Sequence, residues 1–392
     1  MKNQVTNQPD FLFSMVGISL FLFVFLLNVT AQTTTDDEKF DDAGYRIFSK
    51  AEPLTFLNPI GPFIRLSDGS ILSAHTGSIS KDEGRIWTKL NLFDTEKFSL
   101  GSPVAIQTRT GTIIIGFSNY LEISPGRLGW NNTTHSYDEN IGKLPTYIIY
   151  SRNNGKTWSQ PIKLHDEWTG MNRGILETKD GHIVFSTMTM RNNPGRNCVL
   201  TYVSSDDGET WTASNILDHP TSAGHHSGLM EADIIQLNEG KLWMLIRTNW
   251  DYFYESYSSD NGYTWDGYHK TDIDASSSPG ALLRLQSGRI VLVWNRLYHE
   301  GKNEIVRIGG DKNIAEVRLS WQRDELSMMY SDDDAKTWST PVIIAKTITP
   351  ASNPYANPLA YPHIFEQSKG VIWVTTDFGR LKISIKENDL PK

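Results

Sequence analysis

The chain has a single cysteine, Cys198, among its 392 residues. An intramolecular disulfide is therefore excluded, and no Cys/His cluster shows zinc spacing. Stability must come from packing. No window concentrates Lys and Arg, and the formal charge is −8, so the basic footprint needed for nucleic acid or anionic lipid is missing. Neither is expected as a partner, and no metal or cofactor is expected either. Gly at 30 and Pro at 17 stay far below low-complexity levels, while aromatics reach 11% with 12 Trp. The chain can bury a substantial core.

Only one long apolar run exists, Phe11 to Leu27, preceded by Lys2 and followed by Val29-Thr30-Ala31, a small-x-Ala pattern suited to signal peptidase. Residues 1–31 read as a removed export signal, which gives a secreted or periplasmic protein. The alternative is a membrane anchor formed by residues 11–27, at the lower edge of what spans a bilayer. Residues 32–43 are polar and acidic and read as a disordered lead-in. The folded domain is expected over 44–392, as a monomer.

Two repeats interleave along that domain. The first is a hairpin with Gly at its turn, and the turn glycines are Gly69, Gly111, Gly181, Gly240, Gly288 and Gly370. Apolar residues alternate on both sides of each turn, the pattern of two antiparallel strands joined by a residue with positive φ. The second is Ser-x-Asp-x-Gly-x-Thr-Trp, intact at Ser204 to Trp211 and at Ser258 to Trp265. Three copies vary at one position each, with Ile86, Asn153 and Ala335 as the departures. Asp or Asn and Ser close a tight turn by side-chain to backbone hydrogen bonds, and Trp anchors it. The Trp ending and the lack of a Glu at the twelfth position argue against a calcium loop. A hairpin, a third strand, the acidic turn and a fourth strand make one blade, so the fold expected is all-β: a six-bladed β-propeller of four-stranded antiparallel blades. An amino-terminal strand around Tyr45 to Phe48 is expected to complete the last blade.

Acidic turns of this form, called Asp-boxes or BNR repeats, in a six-bladed propeller resemble the sialidase (neuraminidase) superfamily over nearly the whole mature chain. Such turns also occur in non-enzymatic propellers and in other glycosidases and lyases. The inner strand of each blade lines the axis, so its start supplies residues near the mouth. Counting back nine from each turn glycine gives Ile60, Ser102, Asn172, Glu231, Pro279 and Tyr361. Glu231 and Tyr361 are the chemically useful pair.

The resemblance implies that Tyr361 is a nucleophile and Glu231 the group that takes its proton. A neutral phenol escapes the repulsion that a carboxylate nucleophile would meet from an acidic sugar. It also implies that Arg247 and Arg323 are two of three arginines that clamp the substrate carboxylate. The family's first arginine has no counterpart in Asn58-Pro59-Ile60-Gly61-Pro62, and Arg65, within the hairpin, is not promoted to it. The loop that carries the family's acidic aspartate is shortened; His75 is the titratable side chain left at that edge and is the candidate general acid. Asp377 stands where a family glutamate supports the absent arginine.

Asn172 and His226 complete the candidate substrate contacts. His225 and His226 are adjacent on an extended segment and are expected to point opposite ways, which argues against a metal pair. Trp130, Tyr137, Tyr298 and Trp321, on the two long insertions, are available to stack on sugar rings. The function expected is a secreted exo-acting glycoside hydrolase that removes a terminal acidic sugar from a glycan. Two alternatives stay open: a carbohydrate-binding propeller without turnover, and a polysaccharide lyase or rhamnosidase-like propeller that uses histidine chemistry.

Overall fold

Each turn glycine closes a hairpin, and in the computed structural model the hairpins open six sheets, each built on four antiparallel strands. The structure describes residues 38–123, 130–131, 133, 136–138, 142–192, 194–310, 317–348 and 358–391. The expected export signal, with its apolar run, lies outside them, as do the side chains of Trp130 and Tyr137. Blade one comprises Phe63–Arg65, Ile71–Ser73, Ser78–Ser80 and Thr88–Lys89. Blade two comprises Gly101–Gln107, Ile113–Ser118, Lys143–Ser151 and Ile162–Glu167. In blade three, Ile175–Glu177, Ile183–Arg191, Arg196–Ser204 and Thr212–Ala213 are joined by Gly224–Gly228, which runs parallel to the third strand.

Blade four holds Met230–Gln236, Leu242–Arg247, Tyr252–Ser258 and His269–Asp274. Blade five holds Ala281–Arg284, Ile290–Trp294, Glu325–Ser331 and Val342–Thr347. Blade six holds Ala360–Ser368, Val371–Phe378 and Lys382–Lys386. Its fourth strand comes from the other end of the chain. Glu52–Pro53 pairs with Lys382–Lys386, whereas Tyr45–Ile47 pairs with Val342–Thr347 on the outside of blade five. The expectation that Tyr45 to Phe48 closes the last blade is thus corrected by a few residues. Pro53 can serve because an outermost strand leaves its N–H side unpaired. The lead-in is also partly structured: Lys39–Phe40 pairs with Arg46 and Ile47, and the Asp41 carboxylate accepts from the Ala43 and Tyr45 amides.

A buried apolar cluster fills each of the six seams between neighbouring blades. Trp265 is an example: 4% exposed between blades three and four, it donates its indole N–H to Thr201 Oγ1 at 2.9 Å. No helix among the described residues is long and apolar enough to cross a membrane.

The five acidic turns repeat one set of bonds. In each, the Ser hydroxyl donates to the Asp or Asn side chain and accepts the amide of the residue at the Gly position at 2.9 Å. The turns also clasp the preceding blade. Asp207 accepts from Thr110, Asn154 donates to Asp68, Asn261 donates to Asp180, and Asp334 accepts from the Asn238 amide. Gln367 of blade six donates to Glu83 of blade one and so carries the same clasp across the ring closure. Arg65 belongs to this end of the molecule, paired with Glu83 at 2.7 Å. Only the fifth turn lacks its glycine, and there Ala335 is held at φ 67°.

Candidate active site

Strand direction puts the starts of the inner strands at the end of the ring opposite the acidic turns. Three of the six counted positions, Ser102, Glu231 and Tyr361, have positive φ values of 43°, 41° and 62°. At two of them the pairing register shifts, between Gly101 and Val104 and between Met230 and Asp233. Such an irregularity re-aims one side chain without disturbing the strand beyond it.

The result is a buried meeting of groups that lie far apart in sequence. The Tyr361 hydroxyl donates to Glu231 Oε1 at 3.1 Å. Arg247 Nη1 donates to Glu231 Oε2 at 2.5 Å and to the Tyr361 oxygen at 2.8 Å. The four side chains Glu231, Tyr361, Arg247 and Arg323 are 7%, 7%, 4% and 5% exposed. Arg323 stacks on Trp321 at 3.6 Å and stands 5.5 Å from the Tyr361 ring centre. Its acidic neighbours have other partners: Asp324 binds His299 and Lys302, and Glu325 pairs with Lys346. Ser277 joins the two guanidinium groups, its hydroxyl accepting from Arg247 and its carbonyl from Arg323.

Burial raises the Tyr361 phenol; Arg247 and Arg323 pull it back, and the Glu231 charge adds to the rise, leaving it above its ordinary value. At rest the nucleophile candidate is a neutral phenol. Burial lowers Arg323 to about 10, and its Nε is buried without a partner. An anion bound beside it relieves both costs.

Arg173 was not among the residues singled out in the sequence. Its guanidinium carbon lies 6.0 Å from the Tyr361 ring centre, as close as that of Arg247. Nη2 donates to the Pro362 carbonyl at 2.5 Å, while Nε and Nη1 are buried and unpartnered. A third arginine therefore reaches the phenol, from blade three. The signal available was its place beside Asn172, one step past the counted rank.

The remaining candidates are divided. Asn172 is buried, with its amide bonded to the Ser102 carbonyl, Ser118 and Thr187, tying blade two to blade three. Asp377 lies opposite Tyr361 in the ladder, between the pairs Ala360–Phe378 and Pro362–Thr376. Its Oδ1 meets His363 Nε2 at 3.1 Å, and Oδ2 is buried without a partner. Burial opposes its charge, but His363, Arg173 and His75 outweigh burial and hold the carboxyl below the usual range. His75 lies near this group, and burial lowers its imidazole. The structure thus gathers Glu231, Tyr361, Arg247 and Arg323 around one point and sets His75 beside Asp377.

His225 and His226 do not point apart: their ring centres are 3.9 Å from each other. The expected alternation fails because four steps of this segment, from positive-φ Gly224 to positive-φ Gly228, oppose one step of the neighbouring strand. Burial, with His225, Arg247 and Arg323 nearby, lowers His226 to about 2, so it faces the arginines as a neutral ring. No group of three or more potential metal ligands occurs among the described residues.

The family model for the BNR repeat-like domain matches residues 78–374. The chain belongs to this family. Among its relatives, a sialidase of Clostridium perfringens is 28% identical over 210 residues, 48% of this chain and 51% of that protein. A sialidase of Paraclostridium sordellii is 27% identical over 150 residues, 38% of this chain and 35% of that protein. The chain thus matches about half, or less, of these curated relatives. Solved structures show the same fold. The NanB sialidase of Streptococcus pneumoniae superposes with a TM-score of 0.54 at 15% identity, covering 88% of this chain and 71% of that one. An alpha-L-arabinanase of Penicillium chrysogenum gives 0.51 at 13% identity, covering 87% and 97%. This BNR-repeat propeller therefore shares its architecture with glycosidases of different specificity, and its own chemistry must be argued from its site.

Proposed function

We propose that this BNR-repeat propeller is an exported, exo-acting glycoside hydrolase that removes a terminal acidic sugar from a glycan. The observation that carries the reading is the buried hydrogen bond between the Tyr361 phenol and the Glu231 carboxylate, flanked by Arg247 and Arg323. In this reading the Tyr361 oxygen attacks the anomeric carbon and passes its proton to Glu231. The bond to the leaving oxygen breaks as His75 donates a proton to it. Water, deprotonated by His75, then releases the sugar and restores the phenol, with the Glu231 proton returning to the tyrosine oxygen.

Arg247 and Arg323 hold the sugar carboxylate, and His226 contributes a neutral face beside them. Arg173 supplies a third positive charge from blade three, where the resemblance leads one to look for it in blade one. It acts through Tyr361, by holding the Pro362 carbonyl and by favouring negative charge on the phenol. Export rests on the amino-terminal sequence pattern. The test is product analysis by mass spectrometry after incubation with sialosides, uronides and acidic polysaccharides. Release of an acidic monosaccharide is expected, and an intact panel overturns the proposal. An unsaturated uronyl product absorbing in the ultraviolet assigns the chain to the lyases instead.

A further inference from the structure

A cavity of about 500 Å³ follows the axis of the ring, lined by the inner strands of all six blades, from Phe63 of blade one to Ile364 of blade six. It begins where the site ends, since Pro362 follows Tyr361 and Asp233 lies two residues past Glu231. Its charged lining is almost all engaged. Glu177, Arg284 and His363 meet Arg109, Asp334 and Asp377, and Lys179 donates to the Asn238 carbonyl. Two groups of opposite charge are left. Asp233 is buried and bonded by backbone alone: Oδ2 accepts the Leu282 amide at 2.8 Å and Oδ1 the Ile234 amide at 2.9 Å. Arg173 holds the Pro362 carbonyl and keeps Nε and Nη1 buried without partners.

The backbone brings this pair together. A Cβ on Gly174 would stand 2.9 Å from Asp233 Oδ1, so the carboxylate packs on bare chain immediately after Arg173. The Leu282 amide that Asp233 holds lies two residues past Gly280, toward whose carbonyl Arg173 Nη2 reaches at 3.5 Å. The Arg173 charge is felt at Asp233 and also at Asp377, in blade six. Burial raises the Asp233 carboxyl to about 6 against the pull of the Leu282 amide and of Arg173. At neutral pH both carboxylates are therefore charged, and Arg173 stands between them. Asp377 has a buried oxygen with no donor. A guanidinium drawn to that oxygen would leave the Pro362 carbonyl, because an unpaired buried carboxylate is the stronger acceptor.

We infer that Asp233 is a positioning residue for the site: its charge balances that of Asp377 and so keeps Arg173 on the Pro362 carbonyl, beside the Tyr361 ring. Asp233 itself lies below the sugar site and touches no substrate. The inference deepens the reading in which Tyr361 is the nucleophile and rests on it only for the effect on rate, since the phenol titrates without substrate.

The test follows the Tyr361 phenol of the full chain by ultraviolet difference, each variant against its own Tyr361→Phe partner. In Asp233→Asn the midpoint is expected to rise by about half a unit or more, as the guanidinium turns to Asp377 and its charge leaves the ring. This is the direction expected of Arg173→Met. Added to Arg173→Met, Asp233→Asn should give no further rise. Asn sets an amide N–H against one of the two backbone amides. Asp233→Ser, whose hydroxyl accepts without that conflict, is therefore the second variant, and the same rise is expected of it. An unmoved midpoint, the result of packing alone, overturns the inference. So does a fall, which means that Asp233 acts on the phenol as a bare charge while Arg173 stays in place, and so does a rise that persists undiminished in the Arg173→Met background. On an acidic aryl glycoside, kcat should drop about threefold to tenfold in either variant with KM nearly unchanged. A parent without activity defeats the glycosidase reading alone and leaves the titration to decide this one.

Discussion

The two ends of the ring are built on different principles. At one end, five acidic turns repeat the same serine, carboxylate and backbone bonds and clasp each blade to the one before it. At the other, the corresponding positions of the six blades carry six different residues, from Ile60 to Tyr361. Repetition stabilises the ring, and departure from repetition brings the candidate catalytic groups together. Positive φ marks the contrast: at the first end it belongs to the turn residues that every blade shares, and at the second it sets Glu231 and Tyr361 individually.

The contrast can be broken from either end. The largest effect is expected from Tyr361→Phe and Glu231→Gln, each lowering kcat by at least about 100-fold. Tyr361→Phe loses two hydrogen bonds, while Glu231 and Arg247 keep each other, and is expected to lower the unfolding free energy by about 1–3 kcal/mol, measured by denaturant titration. At the other end of the contrast, Trp265→Ala is expected to cost about 3–5 kcal/mol in the same titration. The kcat of its folded fraction should stay at the parent value. A Trp265 variant that loses activity while keeping its stability would merge the two ends.

Arg173 sharpens the comparison. Arg173→Met is expected to lower kcat about tenfold or more, with Arg173→Lys recovering part of the loss because it restores charge without the fork. The phenol titration of Tyr361, followed by ultraviolet difference against Tyr361→Phe, should move upward in Arg173→Met. A role in packing alone leaves that titration unmoved.

In the proposed reaction the pH dependence follows from His75. A general acid must be protonated, and burial lowers this imidazole from its ordinary 6.5. The rate on substrates with poor leaving groups is therefore expected to fall as pH rises through a value below 6.5. In His75→Gln that limb should disappear, and with an activated aryl leaving group the first step, read as a burst of aryl release, should lose little while the water step that follows is slowed. The smallest effect belongs to the acidic turns: Ala335→Gly removes a side chain at φ 67° and is expected to stabilise the protein by about 1 kcal/mol, read from the unfolding midpoint.

Most of the repeating end was legible because its residues act locally: Ser, Asp, Gly and Trp within eight positions specify the whole turn. The ranks of Glu231 and Tyr361 were legible for a related reason, since a fixed distance from a turn glycine fixes depth in an inner strand. Arg173 was not, because its place in the site depends on reaching across the axis to Pro362 of blade six, and no local pattern encodes that. Ser277 was hidden in the same way, in a run of serines before Pro279 that looks like an ordinary loop. The closing strand Glu52–Pro53 is two residues long and contains proline, so it carries no alternation to read. The pairing of His225 with His226 escapes the alternation rule, which assumes a regular strand, because the flanking glycines break the strand here.

The most direct test of the catalytic claim is covalent trapping. The protein would be incubated with a fluorinated glycosyl fluoride that carries a carboxylate on the sugar ring, and its digest mapped by mass spectrometry. An adduct on Tyr361 that is absent in Tyr361→Phe is the result predicted. Turnover of the parent substrate with no adduct there, or with the sugar on a different side chain, would contradict it.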